Sequence, residues 1–388
     1  MHIRVRKQAW LMVFLVYVVA GPASVTQAYP PDPDNAALLY YQGFLSVPDF
    51  NEVARTLIGD VARGKVAPND EVRKHIEESR GAIGMAEAAA EAPECDWGFR
   101  FSQGFEALMP QLSQARFLTF ILIADARVRA ADGDYRGALE RCMTTLAFSH
   151  HMGDDTLISY LVSLALRTLA YNCMQDVMGQ VVDAELLRWL QSELATDVGQ
   201  GLSPVRPLKY ETEIVLELMQ MENLEKLSRV LADTNEAKMQ EIVEKADEEL
   251  LARARQAYAE RATAAMAAYD LSLPYEQVHP RLKRLVSDFD PNDPVMAAVS
   301  AFMPAMTRIY TLDTKAKAHA NAIKAGLEIC LARAKSGKLP RALPAGLPRD
   351  PFSGEDFEYK RTDDGFVLRC RKPDLDKNET YEYAFAVK

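Results

Sequence analysis

The chain has 388 residues, 48% of them hydrophobic and 26% charged, with five cysteines and a formal net charge of −10. That length buries a substantial core without disulfide or metal staples, and the composition excludes collagen-like, disordered and disulfide-scaffold proteins. Lys+Arg 45 against Asp+Glu 55 leaves no basic excess to neutralise phosphates, which argues against nucleic acid or an anionic membrane surface as the main partner.

Arg4, Arg6 and Lys7 precede an apolar run from Ala9 to Ala20, and Gly21-Pro22 leads into small residues ending Thr26-Gln27-Ala28. This is the pattern of a cleaved secretory signal peptide over residues 1–28, because the run is shorter than the roughly 20 apolar residues that span a bilayer. The alternative is an uncleaved interfacial anchor. The expectation is an exported protein, periplasmic or extracellular, without stable membrane insertion after signal cleavage. Cys95, Cys142, Cys173, Cys330 and Cys370 are odd in number, far apart and without a Cys-x-x-Cys pair, so neither a zinc ribbon nor a thioredoxin-type motif is present. Cys142, Cys173 and Cys330 fall in apolar helical patterns as small core residues, and a disulfide between Cys95 and Cys370 is open.

Residues 29–338 read as a helical domain. Asp34, after the Pro30–Pro33 leader, is placed to cap a helix over 35–45 that Pro48 ends, and 51–64 and 70–91 read as two more helices. Between Phe105 and His151, Leu118, Ile121, Leu122 and Ala126 build one amphipathic helix, Asp132-Gly133-Asp134 turns the chain, and Ala138, Leu139, Cys142 and Leu146 build the next. The stretch from Gly133 to Leu139 resembles the centre of a tetratricopeptide repeat (TPR). One copy without a 34-residue period supports a helical hairpin and not a repeat array.

A strong helix over 156–178 and another over 184–195 follow. Beyond the break at Gly199–Pro204, a helix-forming block covers 209–269 with an interruption at Asp233-Thr234-Asn235, read as a hairpin with a single projecting helix as the alternative. Pro274 and Pro280 bracket a short helix, and a last long helix covers 295–335 with a kink at Pro304. Residues 339–388 change character, with an aromatic hairpin around Asp363-Asp364-Gly365 and a third strand in Thr380–Val387.

A family resemblance enters at this end. Lys335-Ser-Gly337-Lys-Leu339-Pro340, then Asp350-Pro351-Phe352-Ser-Gly354 and the aromatic hairpin from Tyr359 to Phe366, look like the globular end of type II secretion pseudopilins. The same ending, behind a signal peptide and a helical body with the Met152–Ile158 segment, is similar to a broad group of exported bacterial proteins to which no activity is assigned. The first resemblance implies a shared C-terminal module and makes calcium plausible there; the second implies export.

His-Glu-x-x-His, Gly-x-Ser-x-Gly and the phosphate-binding glycine loops are absent from the sequence. His150-His151 with Asp154-Asp155 has the i, i+4 spacing of helix-borne metal ligands, but Gly153 ends the helix between them, so Asp154 or Asp155 reads better as the next N-cap. Asp374, Asp376 and Asn378 alternate as in calcium loops, without the glycine and the final carboxylate of an EF-hand; a solvated turn ending in Glu379 is the simpler reading. The glutamates between Glu211 and Glu260 offer paired carboxylates for glycan hydrolysis, against the usual reading of a solvated helix face. Met219, Met221 and Met239 offer an adaptable surface, against ordinary core packing.

No residue is assigned a catalytic, cofactor or metal role from these patterns, and no cofactor is implied. The expected fold is mainly α, an irregular helical-hairpin bundle or short TPR-like solenoid with a small C-terminal antiparallel β-sheet over 339–388. The expected role is an exported binding or scaffold protein with a protein partner; the alternatives are an envelope-acting hydrolase and a pseudopilin-like assembly component. Two close carboxylates in a pocket, or a histidine with a carboxylate partner, would favour the hydrolase, and a large exposed apolar groove would favour the binder.

Overall fold

Among the described residues, asparagine side chains begin each of the first three helices in the computed structural model, which describes residues 33–106, 109–153, 155–196, 202–226, 246–287, 290, 293–303 and 306–387. The segment 1–28, expected to be a signal peptide, and Asp154, Gly199–Gly201, Asp233–Asn235, Met239 and Pro304 lie outside the described residues. Asn35 accepts from Ala37 N, Asn51 from Ala54 N and Asn69 from Val72 N, each satisfying a donor that the first helical turn leaves open. They start α1 (Ala36–Leu45), α2 (Glu52–Ala62) and α3 (Asp70–Glu78). The cap of α1 is therefore Asn35 and not Asp34. The helix expected over 70–91 breaks at Ser79, whose backbone leaves helical geometry at φ −91°, ψ 5°, so α4 (Arg80–Glu91) is a separate element.

The hairpin read around Gly133 is formed by α5 (Gln111–Ala131) and α6 (Tyr135–Met152). Gly133 takes the left-handed φ of 82° that the turn requires, and Asp134 accepts from Gly137 N. Next comes α7 (Leu157–Met178), capped by Thr156 through a reciprocal box with Ser159. Thr156, not Asp154 or Asp155, fills the N-cap. α7 is long and apolar enough to cross a membrane, yet 61% of its most apolar window is buried in the protein, which accounts for its composition. α8 is Ala184–Thr196.

Among the described residues, the 209–269 block holds α9 (Val205–Leu218) and α10 (Glu248–Ala268), and it is not a single helix because the backbone leaves helical geometry at Met219. α11 (Tyr275–Ser287) runs through Pro280, which the sequence placed at its boundary. Glu276, whose carbonyl loses the bond that a proline nitrogen cannot make, is exposed, as is Pro280, so water can replace it. The expected helix over 295–335 is two helices, α12 (Pro294–Phe302) and α13 (Met306–Ser336). Met303 precedes a proline and takes extended backbone, ψ 114°, where the ring of the next residue forbids the helix.

Three strands close the chain: β1 (Glu358–Thr362), β2 (Gly365–Arg369) and β3 (Glu382–Ala386), antiparallel in that order. Phe366 and Phe385 face each other in register and stack with ring centroids 4.7 Å apart. The fold is mainly α with a small C-terminal sheet, and one hydrophobic cluster joins the two: Phe352, Phe357, Phe366 and Phe385 share it with Leu118, Tyr160 and Ile329. α13 lies against α7, α8, α11 and β3, and α9, α10 and α12 gather a second, smaller cluster around Val215, Tyr258 and Val299. All five cysteines are free, and Cys95 and Cys370 do not pair.

Candidate functional site

α13 carries charges on a face that packs into the protein. Asp313, Lys317, Asn321 and Lys324 follow one another at three- and four-residue steps, which sets them in a row along one side of the helix. With Arg167 of α7, Leu202 and Leu271 they line a cavity of about 230 Å³. Asp313 is 6% exposed and accepts a 2.6 Å hydrogen bond from the Tyr269 hydroxyl, while the buried Tyr160 of α7 faces the same carboxyl group. Burial holds its pKa above the ordinary carboxylate value, against the opposing pull of the Tyr269 hydrogen bond and the Arg167 charge. Lys317 donates to the Leu271 carbonyl, and burial lowers its pKa. Arg167, 9% exposed, donates to the Tyr171 hydroxyl at 3.2 Å. Three cations and one carboxyl group whose pKa burial raises thus meet in a partly enclosed space, within a chain of net charge −10.

Lys324 also lines a second, open groove of about 650 Å³ that continues along α13. Its floor is apolar, with Leu194 and Ala195 of α8, Leu327 and Leu331 of α13, and Leu347 between Pro344 and Pro348. Glu328 on its wall accepts from Gln191. Gln191, Lys324, Glu328 and Lys335 line the same groove, so charged and polar side chains stand beside its apolar residues.

The residues marked in the sequence go elsewhere. His151 is enclosed: its Nδ1 lies 3.0 Å from the Tyr40 hydroxyl, its carbonyl accepts from Trp97 Nε1, and burial pulls its pKa down to about 4. That is the chemistry of a half-buried structural histidine. Asp374 is fully buried and saturated, accepting from Asp376 N, Lys377 N and the Tyr381 hydroxyl, while Asp376 binds His279 Nε2 at 2.9 Å. The alternating oxygens therefore hold a turn together, with Asn378 in left-handed backbone at φ 56°. Among the described residues, no group of three or more His, Cys, Asp or Glu side chains is arranged to hold a metal ion.

His279 with Asp376 is a histidine–carboxylate pair, but the ring is 1% exposed and packs on Tyr275 at 4.8 Å, so the pair ties α11 to the 374–379 turn. In the acidic stretch, Glu213, Glu217, Glu248, Glu249 and Glu260 are exposed. Glu211 is the exception in kind: it accepts from Leu157 N at the start of α7, and burial raises its pKa to about 7. Its partner is a backbone amide rather than a second carboxylate. Met219 is buried, and Met221 is 45% exposed beside an open groove with Glu248 and Arg255.

The sequence reading passed over Arg167, Asp313, Lys317 and Tyr269. For Arg167 a signal existed, since it interrupts the apolar residues of 157–175 and a lone charge in a buried helix needs a partner or a purpose. Asp313 offers a weaker one, and Tyr269 joins it only through the fold, from 44 residues away. The chain matches no family model, and no curated protein or solved structure matches it significantly.

Proposed function

We propose that the protein is a binding protein that captures an anionic ligand in the cleft between α7 and α13, and that it does so outside the cytoplasm, the 1–28 segment serving as its export signal. The observation that carries the reading is the convergence of Arg167, Lys317 and Lys324 on one partly buried cavity beside a carboxyl group that burial biases towards its neutral form. Perturbed titratable groups gathered in a concave site are the physical mark of a functional site. Binding is favoured over envelope hydrolysis because glycan hydrolysis needs a second carboxyl group and acyl transfer needs a nucleophile with its base, whereas the residues lining this cavity supply one carboxyl group and no His, Ser or Cys.

The pseudopilin-like ending is better taken as a shared module than as an assembly surface. Assembly would need the helix before the Leu-Pro motifs to offer a long free face, and α13 packs against α7, α8, α11 and β3, with its C-terminal part beside the open groove.

The test is thermal unfolding of the full chain with acetate, decanoate, inorganic phosphate or sulfate. At least one anion should raise the melting temperature of the wild type and fail to raise that of Lys317→Met. No stabilisation by any of them, or equal stabilisation of both proteins, would contradict the reading.

A further inference from the structure

We propose that the open groove between α8, the second half of α13 and the 344–348 loop docks an extended peptide segment of a partner protein. The segment has the pattern acidic–x–apolar–x–acidic, with its two acidic side chains at Lys324 and Lys335 and its apolar side chain between them.

The two lysines set the pattern. The helix makes about three full turns from Lys324 to Lys335, so both stand on one side of α13, about 16 Å apart along its axis. Between them the groove offers Ala195, Ala332 and Leu347 at exposed or half-exposed positions, over the buried Leu327 and Leu331. In an extended peptide every second side chain points the same way and each residue advances about 3.3 Å. Two acidic residues four apart therefore stand about 13 Å apart on one side, with a third side chain midway. The flexible four-carbon stems of the lysines close the remaining gap. Glu328, which accepts from Gln191, lies between the lysines and repels an acidic group at the centre, so the central position takes an apolar side chain.

Charge and rigidity favour this occupant. From Arg333 to Arg349 the chain carries Arg333, Lys335, Lys338, Arg341 and Arg349 and no Asp or Glu, although the whole protein stands at −10. This end attracts an acidic segment that the rest of the surface repels, which steers the encounter to the groove. The loop that forms one wall is held at both ends: Asn321 Nδ2 donates to the Arg349 carbonyl at 2.7 Å, and the Tyr359 hydroxyl donates to the Pro340 carbonyl at 2.9 Å. Within it, Pro344 and Pro348 fix their own backbone angles and Gly346 turns the chain at φ 80°. A wall already in place avoids the ordering cost that weakens peptide binding.

The experiment is fluorescence polarisation of the full chain with a labelled Ser-Glu-Thr-Leu-Thr-Glu-Ser peptide, at low and high salt. Four altered peptides accompany it: Gln for both Glu, Ser for Leu, Glu for Leu, and the same composition with the two Glu adjacent. The parent peptide should bind, more weakly as salt rises, and each altered peptide should bind about fivefold more weakly or worse. Lys335→Glu, at an exposed position in the last turn of α13, should weaken the parent peptide about fivefold or more with an unchanged circular dichroism spectrum, and Lys335→Gln should weaken it less. No binding of the parent peptide, equal binding of all five peptides, or equal binding to Lys335→Glu would overturn the docking site. A dimer in sedimentation velocity that Lys335→Glu dissociates would assign the groove to a second copy of the chain and overturn the peptide partner. Stabilisation by small anions is read at Lys317 and peptide binding at Lys335, so either reading can fail while the other stands.

Discussion

His319 is 5% exposed, lies 4.9 Å from the Tyr383 ring and places Nε2 3.2 Å from Gln175 Oε1. Burial pulls its pKa down to about 4, so the folded state holds it neutral where the unfolded chain would protonate it. The stability this represents is present above about pH 6.5 and is lost as pH falls from there towards 4. His319→Phe, which retains a ring without a titrating group, should flatten that part of a melting-temperature profile. His151, lowered for the same reason, will keep a residual slope. Parallel profiles for the variant and the wild type would show that His319 is not the titrating group. Asp350 makes the complementary case for a saturated carboxylate: fully buried, it accepts from Phe352 N, Arg371 N and the Ser353 hydroxyl, and it organises the turn that Gly354 completes at φ 77°. Asp350→Ala strands these donors and should cost about 3 kcal/mol in denaturant unfolding. The Asp-Pro-Phe-x-Gly string that suggested a family in the sequence is thus a turn motif whose Phe352 plugs the core.

At the scale of elements, two glycines separate the effects of packing and of backbone freedom. Gly179 ends α7 where β3 crosses it, and a Cβ there would overlap the Ala386 carbonyl oxygen, so Gly179→Ala should displace the strand and cost about 2 kcal/mol. Gly84 lies mid-helix in α4 with nothing within 4 Å of its Cβ position, and Gly84→Ala should stabilise by about 0.5–1 kcal/mol. Urea unfolding of the two variants checks the pair, and equal shifts of one sign would refute the packing argument. Helical periodicity exposed most helices and the C-terminal hairpin to a sequence reading, because those signals are local. The breaks were harder. Ser79 divides α3 from α4 with no proline to announce it and a glycine, Gly81, only two residues on, inside α4, and Pro280 fails to end α11 because the neighbouring carbonyl can reach water. α13 hid its polar row for another reason: it is covered on several sides, so no clean apolar face marks which of its residues point inward.

Across the whole molecule, one cluster of buried residues runs from α1 to β3, so the helices and the sheet support each other and the cleft between α7 and α13 is built into that shared core. Its chemistry depends on residues brought from α7, from the segment after α10 and from α13. No stretch of sequence contained the site, which is why motif searches passed over it. Rigid, core-supported positioning is also what a preorganised ligand site requires. The most direct measurement is a calorimetric titration of the wild type and of the Lys317→Met/Lys324→Met double variant with decanoate and, separately, with inorganic phosphate. The cleft predicts that the wild type binds at least one of them and that the double variant, folded by circular dichroism, loses affinity at least tenfold. Equal affinity in the two proteins, or no binding to the wild type, would contradict it.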